Sequence, residues 1–129
     1  MKVLVDTSVW SLVLRRREDS GNVKKLTDLV LSSLVVMIGP VRQELLSGIS
    51  DAALFDRLRA KLEAFDDFPI TTHDYVTAAK FHNACRKHGI QGSHTDFLIC
   101  AVASNNNFRI FTADKDFENY AKYIPIGMV

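Results

Sequence analysis

Val3-Leu4-Val5 is an unbroken apolar run, mostly β-branched, and polar Asp6-Thr7-Ser8 follows it at once. Such a run predicts a strand buried on both faces. The polar triplet can cap a helix that continues through Val9, Trp10, Leu12, Val13 and Leu14 to about Arg15. A polar break runs from Arg15 to Asn22, and helical spacing resumes with Val23, Leu26, Leu29 and Val30. Leu34 to Ile38 is the second buried strand, stopped by Gly39-Pro40, with Pro40 suited to the first turn of a helix that ends near Gly48. Asp51 to Phe65 is amphipathic, with Leu54, Phe55, Leu58, Leu62 and Phe65 on one side. Phe68 to Thr71 reads as extended, and Thr71-Thr72-His73-Asp74 as a capping box opening a helix to about His88. After a Gly89–Gly92 loop, Ser93 to Asn105 is a mostly apolar helix closed by three asparagines. Phe108 to Thr112 is the next strand, Asp114 to Tyr123 a short helix, and Ile124 to Val129 a candidate last strand. Short apolar strands alternating with helices predict an α/β fold, with a mainly parallel sheet covered on both faces.

Length and composition narrow the class. At 129 residues the chain reads as one domain, residues 1–129. A chain of this size buries about two-thirds of its unfolded surface without staples. Hydrophobic residues at 47% and charged residues at 24% exclude disorder as a whole-chain reading. A net charge of +1 names no partner, so any nucleic-acid affinity must come from local patches. Cys85 and Cys100 lie in apolar helical patterns and read as buried free thiols of a reducing compartment. No signal peptide or membrane-length apolar run is present, so the expected location is cytoplasmic, with no membrane partner.

The acids then supply the chemistry. In an open parallel sheet, ligands bind beyond the carboxyl ends of the strands. Asp6 follows the first strand and Asp114 follows Phe108 to Thr112; Glu44 is one turn into the helix after the second strand, and Asp96 lies in the first turn of its helix. Thr7, Ser8, Thr112 and Asp116 stand beside them. Taken singly, Asp6 fits a helix cap, Glu44 an exposed acid or an ion pair with Arg42, and Asp96 a first-turn acid favoured by the helix dipole. Together they would repel: two like charges ~4 Å apart cost about 4 kcal/mol at an effective dielectric of 20. A divalent cation removes that cost. All-oxygen ligands favour Mg²⁺ or Mn²⁺ over zinc, which points to metal-assisted attack of water on a phosphodiester.

Four fragments carry a resemblance across essentially the whole chain: Val3 to Trp10, Val41-Arg42-Gln43-Glu44-Leu45, His94 to Ala101, and Phe111 to Phe117. In order and spacing the chain resembles the PIN-domain ribonucleases, and among them the VapC toxins of toxin–antitoxin pairs. The resemblance implies a three-layer α/β/α sandwich with a mainly parallel central sheet. It also implies an acidic quartet at Asp6, Glu44, Asp96 and Asp114, and a hydroxyl at Thr7 or Ser8. Thr112 and Asp116 are supporting candidates. A Mg²⁺ or Mn²⁺ cofactor, cleavage of structured RNA such as tRNA or rRNA, a homodimer, and a cognate VapB-like antitoxin are implied as well.

Phosphates approaching an acidic edge need cations nearby. Arg15, Arg16, Arg17, Lys24 and Lys25 are the candidates for backbone contacts, and His94 for substrate contact; a solvated helix end and a capping histidine are the plainer readings. Trp10, Val13 and Leu14 are candidates for antitoxin contact if not core, and Tyr75, Ala79, Phe81 and His82 for a dimer face. Two rival readings remain. One is a catalytically idle RNA-binding version of the same fold. The other is a phosphorylatable receiver module, which needs an acidic pair after the first strand, whereas Thr7-Ser8 follow Asp6 here.

Overall fold

The computed structural model describes residues 1–14 and 20–129. Its elements run β1 (Val3–Val5), α1 (Thr7–Leu14), α2 (Ser20–Leu31), β2 (Val35–Val36), α3 (Gly39–Leu46), α4 (Ala52–Leu62), α5 (Thr72–Arg86), α6 (His94–Asn106), β3 (Arg109–Phe111) and α7 (Asp116–Tyr120). The architecture is mixed α/β with a parallel sheet, as expected. The strand order is β2-β1-β3, so the chain returns to both sides of its first strand. Val3 pairs with Val35 on one side and with Arg109 on the other, and Val5 pairs with Phe111. All three residues of β1 are buried, as a strand flanked on both edges and covered on both faces must be.

The core gathers Leu4, Val5, Val9, Ile38, Val41, Ile99, Val102, Ile110 and Phe117, all fully buried. Helix α6 is apolar nearly all round: Phe97 and Ile99 to Ala103 are buried. Such a helix belongs in the interior, and α6 packs on β1, β3 and α5. Helix starts follow the local chemistry. Asp51 caps α4 by accepting the N–H groups of Ala53 and Leu54, and Thr71 and Asp74 form the expected capping box of α5. Asn107 closes α6 in the left-handed conformation (φ 57°), which asparagine adopts at little cost.

Several boundaries differ from expectation. Helix α2 begins at Ser20 rather than Val23, so the turn-forming Gly21 and Asn22 lie inside it. The expected extended piece Phe68 to Thr71 forms no strand: the one bridge, Met37 to Asp67, falls just before it, and Phe68 adds a bond from its N–H to the Met37 carbonyl (2.7 Å). Pro69 follows and has no N–H to continue a ladder. The expected strand from Ile124 to Val129 is likewise one bridge, Ile110 to Met128. Helix α7 covers Asp116–Tyr120, shorter than the expected 114–123. No helix among the described residues is long and apolar enough to cross a membrane.

Candidate active site

The sheet ladder continues one step past β1: the Asp6 N–H donates to the Phe111 carbonyl at 2.9 Å. The Asp6 carbonyl then accepts the N–H groups of Val9 (3.1 Å) and Trp10 (3.4 Å), which starts α1. Asp6 is thereby locked by backbone at the junction of strand and helix, and it is buried, at 4% exposure. Its Oδ2 accepts from Ser8 Oγ at 2.7 Å and from Thr112 Oγ1 at 2.9 Å. The two hydroxyl oxygens lie 3.3 Å apart. Each is fixed in turn by backbone, since Ser8 Oγ accepts the Ala113 N–H at 2.9 Å and Thr112 Oγ1 accepts the Asp114 N–H at 3.0 Å. Asp114 Oδ1 accepts the Asp116 N–H at 2.9 Å. One continuous run of bonds thus links Asp6 to the turn after β3. Burial pushes the Asp6 carboxyl above its ordinary range, against the opposing pull of the Ser8 and Thr112 hydroxyls.

Asp96 approaches from the start of α6. Ser93 caps that helix by accepting the Asp96 N–H at 3.1 Å. Asp96 Oδ2 accepts from the Tyr120 hydroxyl at 2.7 Å. Burial raises the Asp96 carboxyl, and the negative charges of Asp6 and Asp114 raise it further against the bonds from Tyr120 and Ser93. The Tyr120 side chain is fully buried; burial and the Asp96 carboxylate hold its phenol far above the usual range, so it stays a donor.

The structure therefore brings Asp6, Asp96 and Asp114 within electrostatic reach of one another. Glu44 stands farther out. It is exposed on α3, in a shallow depression shared with Pro40, Gln43, Ser47 and Thr95, the neighbour of Asp96. The suggested Glu44–Arg42 pair does not form, because Arg42 is spent on Asp67 and on the Leu62 and Phe65 carbonyls. Among the described residues no ion pair involves any of the four acids. Nor do any three His, Cys, Asp or Glu side chains among them stand ready to hold a metal directly. The donor set still fits a hard divalent ion. It is all oxygen, it is acidic with no ion-pair countercharge among the described residues, and Mg²⁺ commonly keeps waters between itself and its carboxylates.

The remaining candidates are dispersed. Arg15, Arg16 and Arg17 lie outside the described residues. Lys24 is exposed, and the exposed Lys25 sets its Nζ 5.4 Å from the centroid of the Phe111 ring, at the end of β3. His94 is exposed and stacks on His82 at 5.9 Å. The Thr7 hydroxyl is buried with no hydrogen-bond partner, so the hydroxyls that engage Asp6 are those of Ser8 and Thr112. Trp10 is corrected to core: it is 4% exposed and packs edge-on against Phe65 at 5.0 Å, which leaves no surface to offer a partner. Val13 and Leu14 are half-buried, and Leu14 lines a groove of about 630 Å³ with Leu45, Leu54 and Leu58. Of the candidate dimer face, Tyr75 and Ala79 are exposed while Phe81 and His82 are half-buried. Cys85 and Cys100 are free and buried, as expected. Sequence reasoning missed Tyr120; its contact with Asp96 spans 24 residues and leaves no local signal.

A family model for the PIN domain matches residues 3–123. No curated protein matches the chain. Among solved structures, a chain in the crystal structure of FitAcB from Neisseria gonorrhoeae is 21% identical with a TM-score of 0.79, over 98% of this chain and 95% of that one. VapBC2 from Rickettsia felis, bound to a DNA fragment from its promoter, gives 15% identity and a TM-score of 0.80 over 100% and 98%. DNA-bound VapBC from Salmonella typhimurium gives 13% and 0.78 over 100% and 97%.

Proposed function

The chain belongs to the PIN-domain family, and from that membership we propose that it is a metal-dependent endoribonuclease acting on structured RNA, tRNA or rRNA, as the toxin of a VapBC-type pair. One observation carries the reading: at the carboxyl edge of the sheet Asp96 feels the negative charges of both Asp6 and Asp114, and no ion pair among the described residues compensates them. A fold gains no stability from gathering like charges, so the arrangement calls for a positive ligand.

Each residue has a definable task. Asp6 and Asp96 would hold the ion, directly or through water, with Asp114 and Glu44 contributing from the flanks. Mg²⁺ or Mn²⁺, when bound there, supplies charge neutralisation for the phosphate and activation of the attacking water. Ser8 and Thr112 keep one oxygen of Asp6 fixed, so that its carboxylate does not reorient as the RNA binds. Arg15, Arg16, Arg17, Lys24 and Lys25 would contact the RNA backbone, and His94 the substrate near Asp96.

The likeness to VapBC and FitAcB supports a VapB-like antitoxin as partner; a homodimer is proposed from the sequence resemblance alone. The test is incubation of the purified protein with tRNA and rRNA in Mg²⁺ or Mn²⁺, with and without a chelator, beside Asp6→Asn. Metal-dependent cuts lost in the variant are the expected result. Cleavage that persists in Asp6→Asn, with contaminating nuclease excluded, refutes the assignment. RNA binding without cleavage at any metal concentration favours the idle RNA-binding alternative.

A further inference from the structure

Two helices open with the same pattern, a hydroxyl residue followed three positions later by aspartate: Thr71…Asp74 at α5 and Ser93…Asp96 at α6. At α5 the pattern does what it does in an isolated helix. Asp74 Oδ2 turns back to accept the Thr71 N–H at 2.9 Å, while the Thr71 hydroxyl takes the Asp74 N–H at 3.3 Å. At α6 only the outward half forms: the Ser93 hydroxyl takes the Asp96 N–H, but the Asp96 Oδ2 is held instead by Tyr120 at 2.7 Å. The carboxylate stays beside the Ser93 hydroxyl but does not take the Ser93 N–H, the bond that would complete the box.

Tyr120 is built to do this. Its ring is wedged against Phe97 (5.0 Å between centroids) and Phe117 (5.2 Å), with no exposed surface. Gly92, immediately before the cap residue, leaves the space that its hydroxyl needs. A β-carbon there would press on Tyr120 Oη and lie 2.8 Å from its Cζ and 2.9 Å from Phe97 Cε2. The φ of Gly92 is not positive, so the need for glycine at this position is one of space, not backbone strain.

We infer that Tyr120 is a positioning residue: through the notch at Gly92 it holds the Asp96 carboxylate off the Ser93 N–H and presents it to the acidic site. The value of that presentation rests on the nuclease reading; the contact itself does not. Outer partners of this kind orient ligating carboxylates, and their loss typically weakens metal binding about tenfold or more.

Tyr120→Phe removes the hydroxyl and keeps the ring. The variant should stay folded, with a lower melting temperature, because a hydrogen bond to a charged group is lost. The Ser93 amide proton, followed by NMR, should move downfield as the carboxylate swings on to it. Binding of Mn²⁺ alone, followed by electron paramagnetic resonance, should weaken about tenfold. Gly92→Ala keeps the phenol but displaces it, and should weaken Mn²⁺ binding as Tyr120→Phe does. An unmoved Ser93 amide in Tyr120→Phe, or unchanged Mn²⁺ affinity in either folded variant, overturns the inference. The amide reports on Asp96 whether or not RNA is cut, so failure here is distinguishable from failure of the nuclease reading.

Discussion

Thr112→Val is the sharpest probe of the bond network around Asp6. Valine keeps the shape of threonine and deletes one hydroxyl. That hydroxyl donates to Asp6 Oδ2 at 2.9 Å and accepts the Asp114 N–H at 3.0 Å. A hydrogen bond to a charged group contributes about 1.5–3 kcal/mol, and loss of the neutral amide bond adds up to about 1 kcal/mol. The added methyl group recovers part of this, so a net loss of about 2–3 kcal/mol is expected at neutral pH. The loss should depend on pH in a defined direction. The Thr112 bond favours the ionised form of Asp6, whose folded-state carboxyl already titrates above the ordinary range because it is buried. The penalty is therefore complete above the folded-state pKa of Asp6 and shrinks as pH falls through it. Urea unfolding of wild type and variant, in neutral and mildly acid buffer, gives the two differences; contributions from Asp96 and the other carboxyls are common to both proteins and largely cancel. RNA cleavage should fall in parallel. A penalty that is the same at both pH values, or absent at neutral pH, would refute the assignment of Thr112 as a support for charged Asp6.

Other expectations are shorter to state. Asp6→Asn should lower metal-dependent RNA cleavage about 100-fold or more, as loss of a group that stabilises developing charge commonly does. The same variant should melt at a higher temperature than wild type at neutral pH. An acid raised on folding costs stability above its folded pKa and nothing below its unfolded one, so the gain should vanish in acid; a variant that melts lower at neutral pH contradicts this. Asp74 has the opposite sign. Burial pushes its carboxyl up, but bonds from Asn105 and Thr71 outweigh that and hold it below the ordinary range. Its contribution is present above the unfolded pKa and lost as pH falls through the folded one. Asp74→Ala should cost about 2–3 kcal/mol by urea titration at neutral pH while leaving cleavage per folded molecule unchanged. Charge reversal at Lys24 and Lys25 should weaken RNA binding and reduce the salt slope by about one unit for each phosphate no longer engaged; a slope equal to wild type removes them from the RNA path. Reversal of Arg16 and Arg17 is expected to act in the same way, read by the same titration.

What is legible in the sequence is whatever is local. Val3-Leu4-Val5 declares a strand by its unbroken apolar run, and Asp51 and Thr71…Asp74 declare helix starts by chemistry confined to one turn. Asp6, Asp96 and Asp114 are marked by their place just past a strand or just inside a helix. Their mutual proximity follows from the parallel register of Val5 with Phe111 and from the packing of α6 on β1. What is not legible depends on distant partners. Gly21 and Asn22 have turn chemistry, yet they fall within α2, which packs against α1. Trp10 on a short amphipathic helix has the same local pattern whether it faces a partner or Phe65. Ser93…Asp96 has the spacing of Thr71…Asp74, yet its aspartate accepts from Tyr120, a partner on α7 that nothing near residue 96 announces.

The position of β1 between its two neighbours has a biosynthetic consequence. Asp6 is synthesised well before the hydroxyl that clasps it, on Thr112, which lies 106 residues downstream. Until β3 has been made, the nascent chain has neither the Phe111 carbonyl to anchor Asp6 nor the Thr112 hydroxyl to orient it, and Asp114 has yet to be added. A chain that stops short of β3 therefore holds Asp6 without the two partners that fix it, and the acidic edge of the sheet is completed only when the last strand pairs with the first.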